Sequence, residues 1–146
     1  PGTENVPGIV GFGAAARLAL EGMATDVPRM QQLRDRLFAA LSAVDGVTVN
    51  GHPTERLCNN VNVNIAGARA EIMLHALEER GVLVSSGSAC HAGQTGPSHV
   101  LKAIGLTEKD TGSLRITLSR HTTAQDVETA TAALIQVIDM ARKAGI

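Results

Sequence analysis

The chain has 146 residues and a net charge of −1, and 44% of its residues are apolar. This length predicts one domain that can bury a core, and this composition predicts a globular chain rather than a disordered one. A charge so close to zero provides no basic surface for nucleic acid or for an anionic membrane. With no Trp, no Tyr and two Phe, the chain offers no platform for base stacking. No apolar run approaches the roughly 20 residues that span a bilayer.

The two cysteines and the first residues of the chain indicate the compartment of the protein and whether the chain is a fragment. Cys58 and Cys90 are too few for a disulfide framework, and no basic and then apolar leader is visible, so we expect a cytoplasmic protein. The chain starts at Pro1 and its first methionine is Met23. We therefore expect a fragment or a cleaved product of a longer protein.

The first third of the chain predicts two helices. Pro1–Gly13 is rich in turn residues, and a helix of small residues should follow it to about Glu21. After Pro28, apolar residues recur at spacings of three and four up to Val44, which predicts a second, amphipathic helix ending at Gly46.

The middle of the chain predicts short strands around one helix. Val47 and Val49 begin a strand, and in the next strand three apolar residues alternate with Asn60, Asn62 and Asn64. One face of that strand should be apolar and the other should carry amides. A helix over Ala70–Arg80 and a short strand over Val82–Val84 should follow.

The last third predicts a loop, a strand and a long helix. Ser85–Gly96 contains small and polar residues, and a short helix follows it over Ser98–Ile104. Capping boxes at Thr107–Asp110 and Thr123–Asp126 flank a strand that alternates apolar and polar residues over Ser113–Ser119. The whole pattern predicts an α+β, two-layer small domain with a short, mainly antiparallel sheet and helices on one face.

Cys90 combines the residue type and the setting most suited to covalent chemistry. It lies among small residues and glycines in the loop, which keeps a thiol accessible. The alternative is a buried structural cysteine, which the lack of apolar bulk around Cys90 disfavours. Cys58, which leads into an alternating strand, is interpreted as structural.

Four segments, in this order, resemble one enzyme family. The most specific is Ser85–Cys90 followed by Pro97–Gly105; the supporting ones are Gly2–Val6, Asn59–Val63 and Ser113–Leu118. Over its whole length the chain resembles the cysteine desulfurases, in the subgroup of the nitrogen-fixation and housekeeping iron–sulfur assembly enzymes.

The resemblance implies the C-terminal small domain of a homodimeric fold-type I enzyme that uses pyridoxal phosphate. It implies conversion of L-cysteine to L-alanine, with the sulfur left as a persulfide on Cys90 and then passed to an acceptor or iron–sulfur scaffold protein. Arg115 matches the arginine that binds the substrate carboxylate. Thr3 matches a threonine that contacts the cofactor phosphate of the neighbouring subunit.

The cofactor lysine of that family, which follows a histidine, has no counterpart here. Neither Lys102, Lys109 nor Lys143 follows a histidine, and the aspartate and histidine that contact the cofactor ring in the family are also missing. We therefore expect the large cofactor-binding domain to be absent from residues 1–146 and this chain to be inactive alone.

Several questions stay open at this point. A stand-alone persulfide carrier would need only an accessible Cys90, whereas a carboxylate-binding Arg115 favours the enzyme. A zinc site from Cys58, Cys90, His91 and His99 lacks the usual ligand spacing. Neither the sulfur acceptor nor a preference for selenocysteine can be read from the residues. Because Ser86–Gly96 has few anchors, we expect it to be the most mobile internal segment.

Overall fold

The computed structural model describes residues 2–86, 98–107 and 112–144. None of the helices in these ranges is long and apolar enough to cross a membrane. The elements, in chain order, are α1 (Val6–Ser42), β1 (Val47–Val49), β2 (Asn60–Ile65), α2 (Ala70–Glu78), α3 (His99–Ala103), β3 (Ser113–Thr117) and α4 (Ala124–Ala144).

Helix α1 runs without a break over 37 residues, so the predicted turn-rich opening and the predicted division at Pro28 are wrong. The Asn5 side chain caps the helix by accepting from the Gly8 N–H at 3.1 Å, and Pro7 lies in the first turn, where its missing N–H is not needed. Pro28 removes one helical hydrogen bond. At the next residue the Arg29 guanidinium donates to the Thr122 carbonyl at 2.7 Å, and this tertiary contact supports the helix where the proline weakens it.

The sheet has the order β1-β2-β3, and both pairs are antiparallel. The apolar face of β2 is fully buried, with Val61, Val63 and Ile65 each at most 1% exposed. This face packs with the C-terminal half of α1, α2 and α4 into one core, which confirms the predicted α+β domain. The helical residues deepest in that core are Leu37, Leu41, Met73, Leu77, Leu134 and Ile138.

The predicted strand over Val82–Val84 does not form; the chain pairs one residue later, at Ser85. The reason lies in the end of α2, which stops at Glu78 rather than Arg80. Gly81 has a φ of +73°, and the Val82 N–H still donates to the Leu77 carbonyl at 2.9 Å. The chain is therefore still leaving the helix where the strand was expected.

The other predicted short elements have different outcomes. Helix α3 confirms the predicted helix, with Ser98 as its N-cap. The Thr123–Asp126 capping box is formed: the Thr123 N–H donates to Asp126 at 2.8 Å, and the Asp126 N–H donates to the Thr123 hydroxyl at 3.1 Å. The predicted box at Thr107–Asp110 lies largely outside the described residues.

Gly112 allows β3 to enter the sheet close to the end of β2, and its replacement should destabilise the domain. The Cβ of an alanine there would collide with the Ile65 carbonyl oxygen and lie 3.0 Å from that of Ala68. Since both atoms belong to the backbone, we expect Gly112→Ala to cost about 1–3 kcal/mol. Urea unfolding measures this. Gly2→Ala, whose Cβ meets nothing within 4 Å, is the control, and equal stability of both variants would contradict the prediction.

The capping box should make the stability of the domain depend on pH. Hydrogen bonds from the Thr123 backbone and side chain lower the pKa of Asp126 below its ordinary 3.8. The stability from this carboxylate is therefore present above about pH 3.8 and is lost as the pH falls through its lower folded pKa. We expect the difference in urea midpoint between wild type and Asp126→Ala to shrink below that pH. The same difference for the neighbouring Gln125→Ala should stay constant.

Candidate active site

The sheet carries its polar residues on the side away from the core. Residues directly opposite each other in an antiparallel pair share a face, and the register pairs Asn60 with Thr117, Asn62 with Arg115, and Asn64 with Ser113. We call these six residues the polar face. It confirms the amide stripe predicted for β2 and places Arg115 at its centre.

Hydrogen bonds fix the amides of the polar face. The Ser113 hydroxyl donates to the Asn64 side-chain oxygen at 3.2 Å, and the buried Asn50 amide donates to the Asn62 side-chain oxygen at 2.7 Å. No local sequence pattern predicts this hydrogen bond of Asn50, because it depends on the pairing of β1 with β2. The surface around Arg115 is thus ordered before any ligand binds.

Arg115 is held by neighbours on both sides of its strand. Its backbone pairs with Asn62 of β2 on one side and with Ser85 on the other. The Ser85 N–H donates to the Arg115 carbonyl at 3.0 Å, and the Arg115 N–H donates to the Ser85 carbonyl at 2.6 Å. Its side chain is half-buried. A guanidinium on so fixed a backbone is suited to bidentate binding of a carboxylate.

The Ser85–Arg115 bridge also marks where the cysteine segment begins. Cys90 and His91 lie outside the described residues, and so does nearly all of Ser86–Gly96. The role of Cys90 and the mobility of this segment therefore stay predictions. Beyond it, Ser98 accepts a hydrogen bond from the Leu101 N–H at 3.4 Å, and the buried Leu101 holds α3.

A shallow groove borders the chain that leads to this bridge. It has a volume of about 310 Å³ and combines the apolar side chains of residues 82–84 with Glu71, His75 and Glu78 of α2. These three titratable residues follow a spacing of four and three, which places them on one side of the helix.

Thr3 is far from this site within one chain. It is exposed and precedes α1, whose first core residue is Leu33. At 1.5 Å per residue, the helix between Val6 and Leu33 is about 40 Å long. The structure therefore does not bring Thr3 and Arg115 together in the same protomer.

The described residues do not fit pyridoxal phosphate as a covalently bound cofactor. Lys102 and Lys143 each lie in the last turn of a helix, whereas a Schiff-base lysine must project into an enclosed site. Lys109 lies outside the described residues. Within the described ranges no three His, Cys, Asp or Glu side chains could hold a metal ion, and Cys58 is half-buried ahead of β2.

Comparison with known proteins places this fold and these motifs in context. The chain is 41% identical over 142 residues to the cysteine desulfurase IscS of Methanosarcina thermophila, and 46% identical over 129 residues to cysteine desulfurase 2 of Trichormus variabilis. These matches cover 97% and 87% of this chain but 35% and 32% of the relatives. The chain thus spans about a third of the length of the curated relatives it matches.

A solved structure supports the same relationship. The NifS-like protein of Rickettsia africae superposes with a TM-score of 0.83 at 29% identity, over 95% of this chain and 36% of that one. The aminotransferase class-V family matches residues 1–129. The sheet, the order of the motifs and this match together show that the chain belongs to the aminotransferase class-V family, with cysteine desulfurases among its relatives.

Proposed function

We propose that this chain is the C-terminal small domain of a cysteine desulfurase that uses pyridoxal phosphate. The full-length enzyme would convert L-cysteine to L-alanine and supply sulfur for iron–sulfur clusters or thio-cofactors. The names of the relatives and the four motifs support this proposal.

The Ser85–Arg115 bridge is the observation that carries the proposal. It joins the first residue of the cysteine motif to the strand of the proposed substrate arginine through two backbone hydrogen bonds. Cys90 follows Ser85 by five residues, and five residues of extended chain span at most about 18 Å. The Cys90 thiol can therefore reach a small amino acid whose carboxylate is bound by Arg115.

The two side chains would divide the work. Arg115 binds the carboxylate of L-cysteine and orients the substrate through its planar fork. The Cys90 thiolate forms a bond to the substrate sulfur as the carbon–sulfur bond of the substrate breaks, and a proton replaces the sulfur on that carbon. Two thiols thus become L-alanine and one persulfide, so no external oxidant or reductant is needed.

The cofactor belongs, in this proposal, to the part of the polypeptide outside residues 1–146. Thr3 would contact the cofactor phosphate of the neighbouring subunit in a homodimer. Its exposure and its distance of about 40 Å from the sheet along α1 support a role between subunits. We place the protein in the cytoplasm, and its partner is a sulfur-acceptor or iron–sulfur scaffold protein.

The second candidate is a stand-alone persulfide carrier. The positions of Lys102 and Lys143 at helix ends favour it, because a carrier needs no Schiff-base lysine. A carrier also needs no carboxylate site, however. The strand that carries Arg115 is paired on both sides and so holds a guanidinium suited to binding a carboxylate. The desulfurase is therefore the better supported proposal.

Two proteins test the proposal together. The longer polypeptide, which includes the residues encoded upstream of Pro1, should bind pyridoxal phosphate and form equal amounts of L-alanine and persulfide from L-cysteine. Residues 1–146 alone, given the same cofactor and substrate, should form neither. L-alanine formation by the short chain, or none by the long one, would contradict the desulfurase.

A further inference from the structure

Asn62 is the cross-strand neighbour of Arg115 at the centre of the polar face. Directly opposite residues of an antiparallel pair have their Cβ atoms about 4.5–5.5 Å apart, so the two side chains rise from the sheet side by side. A guanidinium has only donor groups. A donor that Asn62 presents at this place therefore cannot be satisfied by Arg115.

The amide of Asn62 is turned by its neighbour on β1. The buried Asn50 amide donates to the Asn62 Oδ1 atom at 2.7 Å, which occupies the acceptor end of Asn62. The donor end, Nδ2, has no acceptor within hydrogen-bonding distance among the described residues. Asn62 is half-buried, and a half-buried donor without a protein partner is suited to a ligand that can accept.

The other two asparagines of the polar face are paired with their own cross-strand neighbours. The Asn60 amide donates to the Thr117 hydroxyl at 3.4 Å, and the Ser113 hydroxyl donates to the Asn64 side-chain oxygen at 3.2 Å. Those neighbours are hydroxyl groups, which can both donate and accept. Of the three asparagines, Asn62 is thus the one that stands opposite a side chain unable to accept from it.

Asn50 is itself held in place from two directions. Its backbone N–H donates to the Asn62 carbonyl at 2.9 Å, and its carbonyl accepts from the Arg56 guanidinium at 2.6 Å. That guanidinium in turn lies over the ring of Phe38, 5.4 Å from its centre. Burying an amide costs stability unless the amide is hydrogen-bonded. The hydrogen bond to Asn62 meets this requirement and fixes the direction of the Asn62 amide before any ligand binds.

We propose that the Nδ2 group of Asn62 donates to the substrate carboxylate bound by Arg115, and that Asn50 is the positioning residue that turns this group toward it. A carboxylate offers about four lone-pair sites on its two oxygens, and a bidentate arginine uses two of them. A third donor can therefore bind without displacing Arg115. This inference rests on the proposed function only in taking an amino-acid carboxylate as the ligand of Arg115.

Binding of L-alanine to the full-length protein, measured by isothermal titration calorimetry, tests the contact without sulfur transfer. We expect Asn62→Ala to raise the Kd of L-alanine about tenfold, because a hydrogen bond to a charged acceptor is lost. Asn60→Ala is the matched control, since it removes an amide from the same face of the same strand. It should change the Kd by no more than about twofold, and equal effects of the two variants would overturn the proposal.

The Arg115→Ala background separates direct contact from an effect on the arginine. If Asn62 touches the carboxylate, Asn62→Ala should still raise the Kd roughly threefold or more in that background. If Asn62 acted only by holding the guanidinium, its replacement would change nothing once the guanidinium is gone. That result would overturn the direct hydrogen bond.

Replacing Asn50 tests the orientation of the amide. An aspartate can only accept, so Asn50→Asp should draw the Asn62 Nδ2 group toward β1 and turn the Oδ1 atom toward the ligand. We expect a rise in Kd at least as large as that of Asn62→Ala. Asn50→Ala, which buries no charge, should raise the Kd roughly threefold, because the amide is then free to rotate. An unchanged Kd in both variants, with folding checked by circular dichroism, would remove Asn50 from its proposed role.

The outcomes separate this proposal from the proposed function. If L-alanine binding responds as expected but the full-length protein forms no persulfide from L-cysteine, the proposed function fails and this inference stands. If the enzyme desulfurates L-cysteine and Asn62→Ala binds L-alanine as wild type does, this inference alone fails. Absence of L-alanine binding by the wild type would overturn it whatever the turnover.

Discussion

Cys90→Ser in the full-length polypeptide is expected to reduce L-alanine formation about a thousandfold or more. The proposed reaction requires the sulfur of this side chain as the acceptor, and loss of a nucleophile leaves only binding and orientation. The absorbance of the bound cofactor should be unchanged, because we place the cofactor in the part of the polypeptide outside residues 1–146. Steady-state L-alanine assays and absorbance spectra measure the two effects.

Cys58→Ser is the matched control. Cys58 is half-buried in the connection before β2, and we expect its replacement to change turnover by no more than about twofold. Mass spectrometry after reaction with L-cysteine should find the persulfide on Cys90. A persulfide on Cys58, or full turnover in Cys90→Ser, would remove Cys90 from its proposed role.

Patterns that depend on neighbours in sequence predicted the structure best. The alternation of Val61, Val63 and Ile65 with asparagines gave both the strand and its buried face, since side chains in a strand have a period of two. The Thr123–Asp126 box formed as predicted because both of its hydrogen bonds are local.

Features set by distant contacts could not be predicted in the same way. Pro28 predicts a helix boundary from local rules, yet α1 passes through it. Arg29 contributes from the next position, since its guanidinium donates to the Thr122 carbonyl at 2.7 Å and so ties this part of α1 to the start of α4. That contact joins residues 93 positions apart and has no signature in sequence.

The candidate site shows the same division. Cys90 and Arg115 are selected from the type and spacing of residues and from their resemblance to a family, and their roles stay predictions. The bridge between Ser85 and Arg115 depends on strand register, which is a property of the folded sheet. The polar face likewise required the pairing of β2 with β3, because only this pairing brings Asn62 opposite Arg115.

Arg115→Ala in the full-length protein is expected to lower kcat/KM for L-cysteine about 10- to 100-fold. A hydrogen bond to a charged group contributes about 1.5–3 kcal/mol, and each 1.36 kcal/mol corresponds to a factor of ten. Most of the change should be in KM, with some loss of kcat because a substrate held less firmly reacts from poorer geometry.

Two further variants separate carboxylate binding from general damage. Arg115→Lys keeps the charge but loses the planar fork, so its kcat/KM should lie between those of wild type and Arg115→Ala. Arg69→Ala removes an exposed arginine whose 3.3 Å ion pair with Glu71 lies on the surface, and such pairs contribute little. We expect it to behave as wild type.

Product inhibition provides an independent measurement of the same interaction. L-alanine has the carboxylate of L-cysteine but no sulfur, so its inhibition constant reports carboxylate binding without the Cys90 reaction. If Arg115 binds the carboxylate, Arg115→Ala should raise this constant by about the same factor as KM. An unchanged inhibition constant together with a lower kcat would mean that Arg115 acts on the sulfur transfer or on the anchoring of Ser85, and a different cation would have to bind the substrate carboxylate.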